Sequence, residues 1–258
     1  MNIVLKMSAA DIARLVKTFQ AWAQPSANPY TQFLAKPQGC VITVYTSGKV
    51  MFQGEQAETY ATKFGYQVTS TTPVQQTNII GTDEVGNGSY FGGLAVVATY
   101  LSEADLPLIK KLGVDDSKKL TDVKIRQIAP ILKEKIQHQA LLLSPSKYNE
   151  VIKSGYNAVS VKVALHNQAI FLLEQALSTV PDHIIIDAFT TEKNYTKYLK
   201  KEKNQTKGQI TLRQKAESQF YAVAVSSVIA REMFLNNLEG LSQDVQLTLP
   251  SGAGHKSD

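Results

Sequence analysis

The chain of 258 residues holds one cysteine, Cys40, and four histidines. A single cysteine excludes an intrachain disulfide and fits a reducing compartment, where Cys40 is a small core residue. No His and Cys pairing has the spacing of a zinc site. Long apolar runs are missing too. Ile184-Ile185-Ile186 and Ala140-Leu141-Leu142-Leu143 are strand-length, whereas a membrane span needs roughly 20 apolar residues. Met1-Asn2-Ile3-Val4-Leu5-Lys6 lacks the charged and apolar blocks of a signal peptide. These absences lead to the expectation of a cytoplasmic protein with no membrane partner. The length allows one large domain or two modest ones.

The net charge of +5 is mild but uneven. Lys193, Lys197, Lys200, Lys201, Lys203, Lys207, Arg213 and Lys215 stand against the single acidic Glu202, with Tyr195 and Tyr198 interleaved. Such a run is either a solvated loop or an arm that neutralises phosphates and gains affinity by releasing counterions. Charge alone does not choose between them.

Residues 1–68 pattern as a small independent α+β unit. A strand over 3–7 precedes a helix over 9–23 with Ile12, Leu15, Val16, Phe19 and Trp22 at helical spacing. A loop is expected over 25–37, then a hairpin of 41–45 and 49–53 about Thr46-Ser47-Gly48, then a helix over 55–64. The polar stretch 69–77 is the linker candidate. From residue 78 onward strands and helices alternate. Strands are expected at 78–83, 90–100, 139–143, 184–187 and 209–212, and helices at 104–112, 121–135, 158–178 and 216–238. This alternation indicates a mixed α/β layer domain over 78–258. His166 falls on the apolar stripe of the 158–178 helix and reads as a hydrogen-bonded packing residue, not a metal ligand.

The most informative segment is Ile79-Ile80-Gly81-Thr82-Asp83-Glu84-Val85-Gly86-Asn87-Gly88, an apolar strand leading into two carboxylates and a glycine loop. In an extended strand Asp83 and Glu84 point to opposite faces, and the glycines let backbone approach a ligand. Asp187 ends a second apolar strand, and Glu217 opens a helix after the basic segment. Strand ends are where α/β sheets place ligand-binding groups. If the two strands are neighbours, Asp83 and Asp187 lie about 5 Å apart, closer than two carboxylates tolerate without a cation. An all-oxygen set suits hard divalent ions, and two such ions activate a water and stabilise a leaving oxygen in phosphodiester hydrolysis. Asp115-Asp116 is a competing pair; its place between helices suggests a turn or cap, with Ser117 and Lys118 able to touch a phosphate.

Taken in order, Gly-Thr-Asp-Glu-Val-Gly-Asn-Gly at 81–88, Asp-Asp-Ser-Lys-Lys-Leu at 115–120, Tyr-Asn at 156–157, Leu-His-Asn-Gln at 165–168, Ile-Ile-Asp-Ala-Phe at 185–189 and Lys-Ala-Glu-Ser at 215–218 resemble the ribonuclease HIII family. The likeness also covers Tyr45 to Gly54 and Val225 to Arg231, nearly the whole chain. It implies a ribonuclease H-like fold, a five-stranded mixed sheet flanked by helices, with an amino-terminal domain similar to the TATA-binding-protein fold that helps hold substrate. It implies an endonuclease, expected as a monomer, that cuts the RNA strand of RNA/DNA hybrids with Mg2+ or Mn2+, leaving 5′-phosphate and 3′-hydroxyl ends. Asp83, Glu84, Asp187 and Glu217 match the family's catalytic, metal-binding carboxylates. Glutamate at the fourth place separates this family from ribonuclease HII, which typically has aspartate there. Gly86, Asn87 and Gly88 are the expected readers of ribose 2′-hydroxyls, with Lys118, Tyr156, Asn157 and Lys215 as further substrate contacts. Two departures stand out: Asn87 replaces a residue that is often basic, and the sequence stops where related proteins usually continue into another helical stretch. Two other readings stay open, a ribonuclease HII-like activity at single ribonucleotides in DNA and a hybrid-binding protein without turnover.

Overall fold

The structure, a computed structural model, describes residues 2–66, 74–114 and 120–254. The segment with Asp115, Asp116, Ser117 and Lys118, and residues 69–73 of the expected linker, lie outside the described residues. The chain divides into two compact units, Met1–Thr72 and Pro73–Asp258.

In the first unit, β1 (Asn2–Lys6), β2 (Thr31–Ala35), β3 (Val41–Tyr45) and β4 (Lys49–Gln53) form an antiparallel sheet in the order β1-β4-β3-β2. Helices α1 (Ala9–Phe19) and α2 (Ala57–Thr62) belong with it. Ser8 caps α1 by accepting the Asp11 amide, which satisfies one of the free N–H groups of the first turn. Leu15, Phe19, Ile42, Val44, Val50, Phe52 and Ala61 make the core. Two expectations change. Strand β2 lies inside the stretch read as loop, because Thr-Gln-Phe-Leu-Ala shows no clean alternation and is recruited by pairing with β3. Helix α1 stops at Phe19 and a 3-10 turn follows, leaving Trp22 47% exposed instead of on the buried stripe.

The second unit runs β5 (Ile79–Val85), β6 (Leu94–Leu101), α3 (Leu106–Leu112), α4 (Asp122–Lys135), β7 (His138–Leu143), α5 (Pro145–Lys153), α6 (Ala158–Ala176), β8 (His183–Asp187), α7 (Glu192–Leu199), β9 (Ile210–Arg213) and α8 (Tyr221–Val245). Its mixed five-stranded sheet has the order β7-β6-β5-β8-β9. The β7-β6-β5 pairs are antiparallel, and β5-β8 and β8-β9 are parallel.

Strand alternation divides the core in two. Ile79, Val97 and Ile185 pack with α4 and α8 on one face, and Ile80, Val96, Ile184 and Ile186 pack with α6 on the other. Gln76 accepts the Tyr221 amide at 2.9 Å and donates to the Gln219 carbonyl at 2.8 Å, so the end of the expected linker is fastened to the second unit. Helices α5 and α7 are additions to the expected set. The basic run holds α7 because Thr191 caps it and Tyr195 is buried beneath it, a single anchor too sparse to show as periodicity. The strand expected over 90–100 begins only at Leu94, after the turn that contains Gly92 and Gly93.

Candidate functional site

Strand β5 deals its side chains alternately to the two faces. Gly81 lies against the α8 backbone, Thr82 bonds His166 of α6, Asp83 bonds Ser227 of α8, and Glu84 bonds Lys162 and His166 of α6. Asp83 and Glu84 therefore belong to opposite sides of one sheet.

The parallel register pairs Thr82 with Ile186, which brings the next residues, Asp83 and Asp187, to the same end of neighbouring strands on the α8 side. Asp187 Oδ1 accepts the Ala216 amide at 2.9 Å, and its carboxyl shares a hydrogen bond with Glu217. Glu217 is buried on a 3-10 turn, Ala216–Ser218, entered through Lys215 in a left-handed conformation (φ 56°, ψ 41°). A non-glycine residue is strained there. The strain aims the Ala216 amide at Asp187 and sets Glu217 beside it.

Burial and crowding show in the acidities. Asp83 is pushed up to about 8, first by burial and then by the charges of Glu84 and Asp187, against hydrogen bonds from Ser227 and the Glu84 amide. Burial, then the neighbouring Glu217, also raises Asp187 against the Ala216 amide. Glu84 behaves oppositely. Burial would raise it, but the hydrogen bonds and charges of His166 and Lys162 together hold it below its ordinary value.

An open cavity of about 440 Å3 is lined by Asp83, Glu84, Asp187, residues 86–89, Phe189, Arg231 and Phe234, among others. Arg231 is the one basic side chain in that described lining, and Asp122 grips its Nε and Nη2 at 3.0 and 3.1 Å. Gly86 and Gly88 both have positive φ, 109° and 85°, so the loop over the cavity depends on glycine. Asn87 lines the cavity between them.

Among the described residues, no group of three or more His, Cys, Asp or Glu side chains already stands in a metal-binding arrangement. Glu84 is turned to α6, and Asp187 and Glu217 share a hydrogen bond. The chemistry nevertheless fits a hard divalent cation. The donors are carboxylate oxygens, and burial and the neighbouring carboxylates make Asp83 and Asp187 weaker acids than usual, a crowding that a bound cation would relieve.

Of the other residues singled out, Tyr156 donates to Glu202 at 3.2 Å. Asn157 caps α6 through the Val159 and Ser160 amides and donates to the Tyr198 hydroxyl at 2.9 Å. Both sit at the α5 to α6 junction and are absent from the lining of the carboxylate cavity. Lys118 lies outside the described residues. Sequence reading missed Lys162, Phe189 and Arg231, and treated His166 only as packing. The available signal was Lys162 and His166 four residues apart on one helix, a spacing that puts two polar groups on the same face.

The strand order, with α6 and α8 on opposite faces, defines a ribonuclease H-like fold. Aquifex aeolicus RNase H3 shares it with a TM-score of 0.59 at 19% identity, over 99% of this chain and 92% of that one. The structure of Bst-RNase HIII in complex with Mn2+ matches more closely, with a TM-score of 0.70 and 35% identity over 100% of this chain and 88% of that one. Residues 80–258 match the ribonuclease HII family model, and residues 2–77 match a domain of unknown function, DUF3378. Ribonuclease HIII of Lactococcus lactis subsp. lactis (strain IL1403) is 58% identical over 258 residues, covering 100% of this chain and 88% of that protein. The chain belongs to the ribonuclease HIII family of endoribonucleases.

Proposed function

We propose that this protein hydrolyses the RNA strand of RNA/DNA hybrids, giving 5′-phosphate and 3′-hydroxyl ends. The observation that carries the reading is the meeting of Asp83 and Asp187 at the end of the β5-β8 pair, beside the glycine loop, with Glu217 hydrogen-bonded to Asp187. Asp83, Asp187 and Glu217, with Glu84 from the other face, are the residues that would hold Mg2+ or Mn2+. Bound there, a pair of such ions would supply an activated water and stabilise the leaving oxygen.

The protein's own groups do the rest. Gly86 and Gly88 bring backbone N–H and C=O groups to the cavity, where they discriminate ribose by its 2′-hydroxyl. Asn87 supplies neutral hydrogen-bonding atoms at the same place. Arg231, held rigid by Asp122, offers positive charge to the strand backbone. Lys215 and the lysines about α7 add unspecific attraction to phosphates.

The test is an end-labelled hybrid incubated with Mg2+ or Mn2+ and mapped for cuts. Wild type yields internal cuts in the RNA strand only, and Asp83→Asn and Glu217→Gln, checked for folding, lose at least about a hundredfold in rate, a loss typical of removing one charge-stabilising group. Equal cleavage by folded Asp83→Asn would end this reading. Because residues 80–258 match the ribonuclease HII model, a duplex with one embedded ribonucleotide belongs in the same experiment. Preference for that substrate would favour the ribonuclease HII-like activity.

A further inference from the structure

We infer that Lys162 and His166 are positioning residues that engage both oxygens of Glu84 and thereby weaken the site's grip on divalent metal. The inference rests on the metal-binding reading above and deepens it.

Both oxygens of Glu84 are taken by side chains of α6. Lys162 Nζ lies 3.1 Å from Oε1 and His166 Nε2 lies 2.9 Å from Oε2. These are interior contacts, with Lys162 5% and His166 0% exposed. A lysine is rarely buried unless it is paired, and breaking such a pair leaves a costly bare charge. Thr82 Oγ1, 2.7 Å from His166 Nδ1, fixes the other side of the ring. With a proton on Nε2 the ring donates to Glu84, and the Thr82 hydroxyl can either donate to or accept from Nδ1, so both contacts are satisfied.

Phe189 closes the assembly. Its ring stacks on His166 with centroids 5.0 Å apart and lies 4.4 Å from Lys162 Nζ. Phe189 follows Asp187 by two residues, so the end of β8 both presents one carboxylate to the α8 side and lids the partners of another on the α6 side. The result is a divided site. Asp83 and Asp187 face the α8 side, while Glu84 on the α6 side already has its own cation.

The consequence for metal is a matter of sign. The Lys162 ammonium repels an arriving divalent cation and competes with it for Glu84. A site built only for tight binding would omit it. Removing the lysine charge should therefore strengthen metal binding, and a lysine that merely supported the fold would do the reverse.

The test is Mn2+ binding to the full chain, read from the free-ion signal in electron paramagnetic resonance, for wild type, Lys162→Met, Lys162→Arg and Asp83→Asn. Lys162→Met lowers the Mn2+ Kd by about tenfold, Lys162→Arg keeps the wild-type value, and Asp83→Asn weakens binding. If Lys162→Met does not fold, Lys162→Gln, which keeps a donor and loses the charge, carries the same expectation. Unchanged or weaker binding in a folded, neutralised variant overturns the positioning role and leaves the metal site standing. Absence of Mn2+ binding in wild type, or full binding in Asp83→Asn, overturns the metal-site reading and this inference with it. In hybrid cleavage Lys162→Met lowers kcat, because Glu84 is no longer held in place.

Discussion

Gly81 and Ala222 meet backbone to backbone: a Cβ on Gly81 would stand 2.4 Å from the Ala222 carbonyl carbon and 2.3 Å from the Val223 nitrogen. Ser226 one turn further on donates to the Gly81 carbonyl at 2.8 Å. Helix α8 thus touches β5 directly, two residues before Asp83, and that contact sets the height of Asp83 over Ser227. Gly81→Ala must push α8 from the sheet. It should destabilise the protein by roughly 3 kcal/mol, the upper end of overpacking costs, measured by urea unfolding followed by circular dichroism. Cleavage should fall as well, since Asp83 and α8 no longer register.

Legibility in the sequence follows from how local each signal is. The opposed faces of Asp83 and Glu84 were readable because strand alternation is local. Asp187 could be placed because Ile184-Ile185-Ile186 is a clean apolar strand. Glu217 was read as opening a long helix, but it sits on a separate 3-10 turn whose geometry depends on left-handed Lys215 and a bond from Ala216 to Asp187, 29 positions away. The pairing of Glu84 with Lys162 spans 78 positions. No local pattern carries that information. Helix α7 was hidden for a different reason, since its lysines satisfy a loop as readily as a helix whose buried contact is Tyr195.

The acidity of Asp83 makes a prediction about stability in the absence of metal. Its folded value, about 8, lies above the roughly 3.9 of an unfolded aspartate. Between those values the folded state holds a proton that the unfolded state has released. Stability contributed by this group is therefore fully present below about pH 4 and is lost as pH rises through about 8. In EDTA at pH 8.5, Asp83→Asn should melt higher than wild type, on the order of 5 °C, and the gap should shrink at pH 5. A lower Tm for the variant at pH 8.5 would contradict the buried, crowded carboxylate described above.

Two glycines of the cavity loop separate conformational strain from space. A Cβ on Gly86 would lie 2.2 Å from the Gly93 carbonyl oxygen, on top of its positive φ, whereas a Cβ on Gly88 meets nothing within 4 Å. Gly88→Ala should cost only the left-handed penalty, about 1–2 kcal/mol. Gly86→Ala should cost more, and it should lower hybrid cleavage beyond its effect on Tm, because the loop has to move off the cavity wall. Thermal unfolding and steady-state cleavage of the two variants, side by side, check the order.

Metal binding itself should release protons. At pH 7 a group at about 8 is mostly protonated, and a carboxylate must give up that proton to ligate a cation. Calorimetric titration of Mn2+ in two buffers of different ionisation heat should report release of about one proton per protein at pH 7. At pH 9.5 the release should nearly vanish, because Asp83 is then already ionised, and binding should be tighter for the same reason. Asp83→Asn should release much less at pH 7. Should the variant release as many protons as wild type, the proton belongs elsewhere, and the hydrogen-bonded Asp187 and Glu217 pair is the place to look.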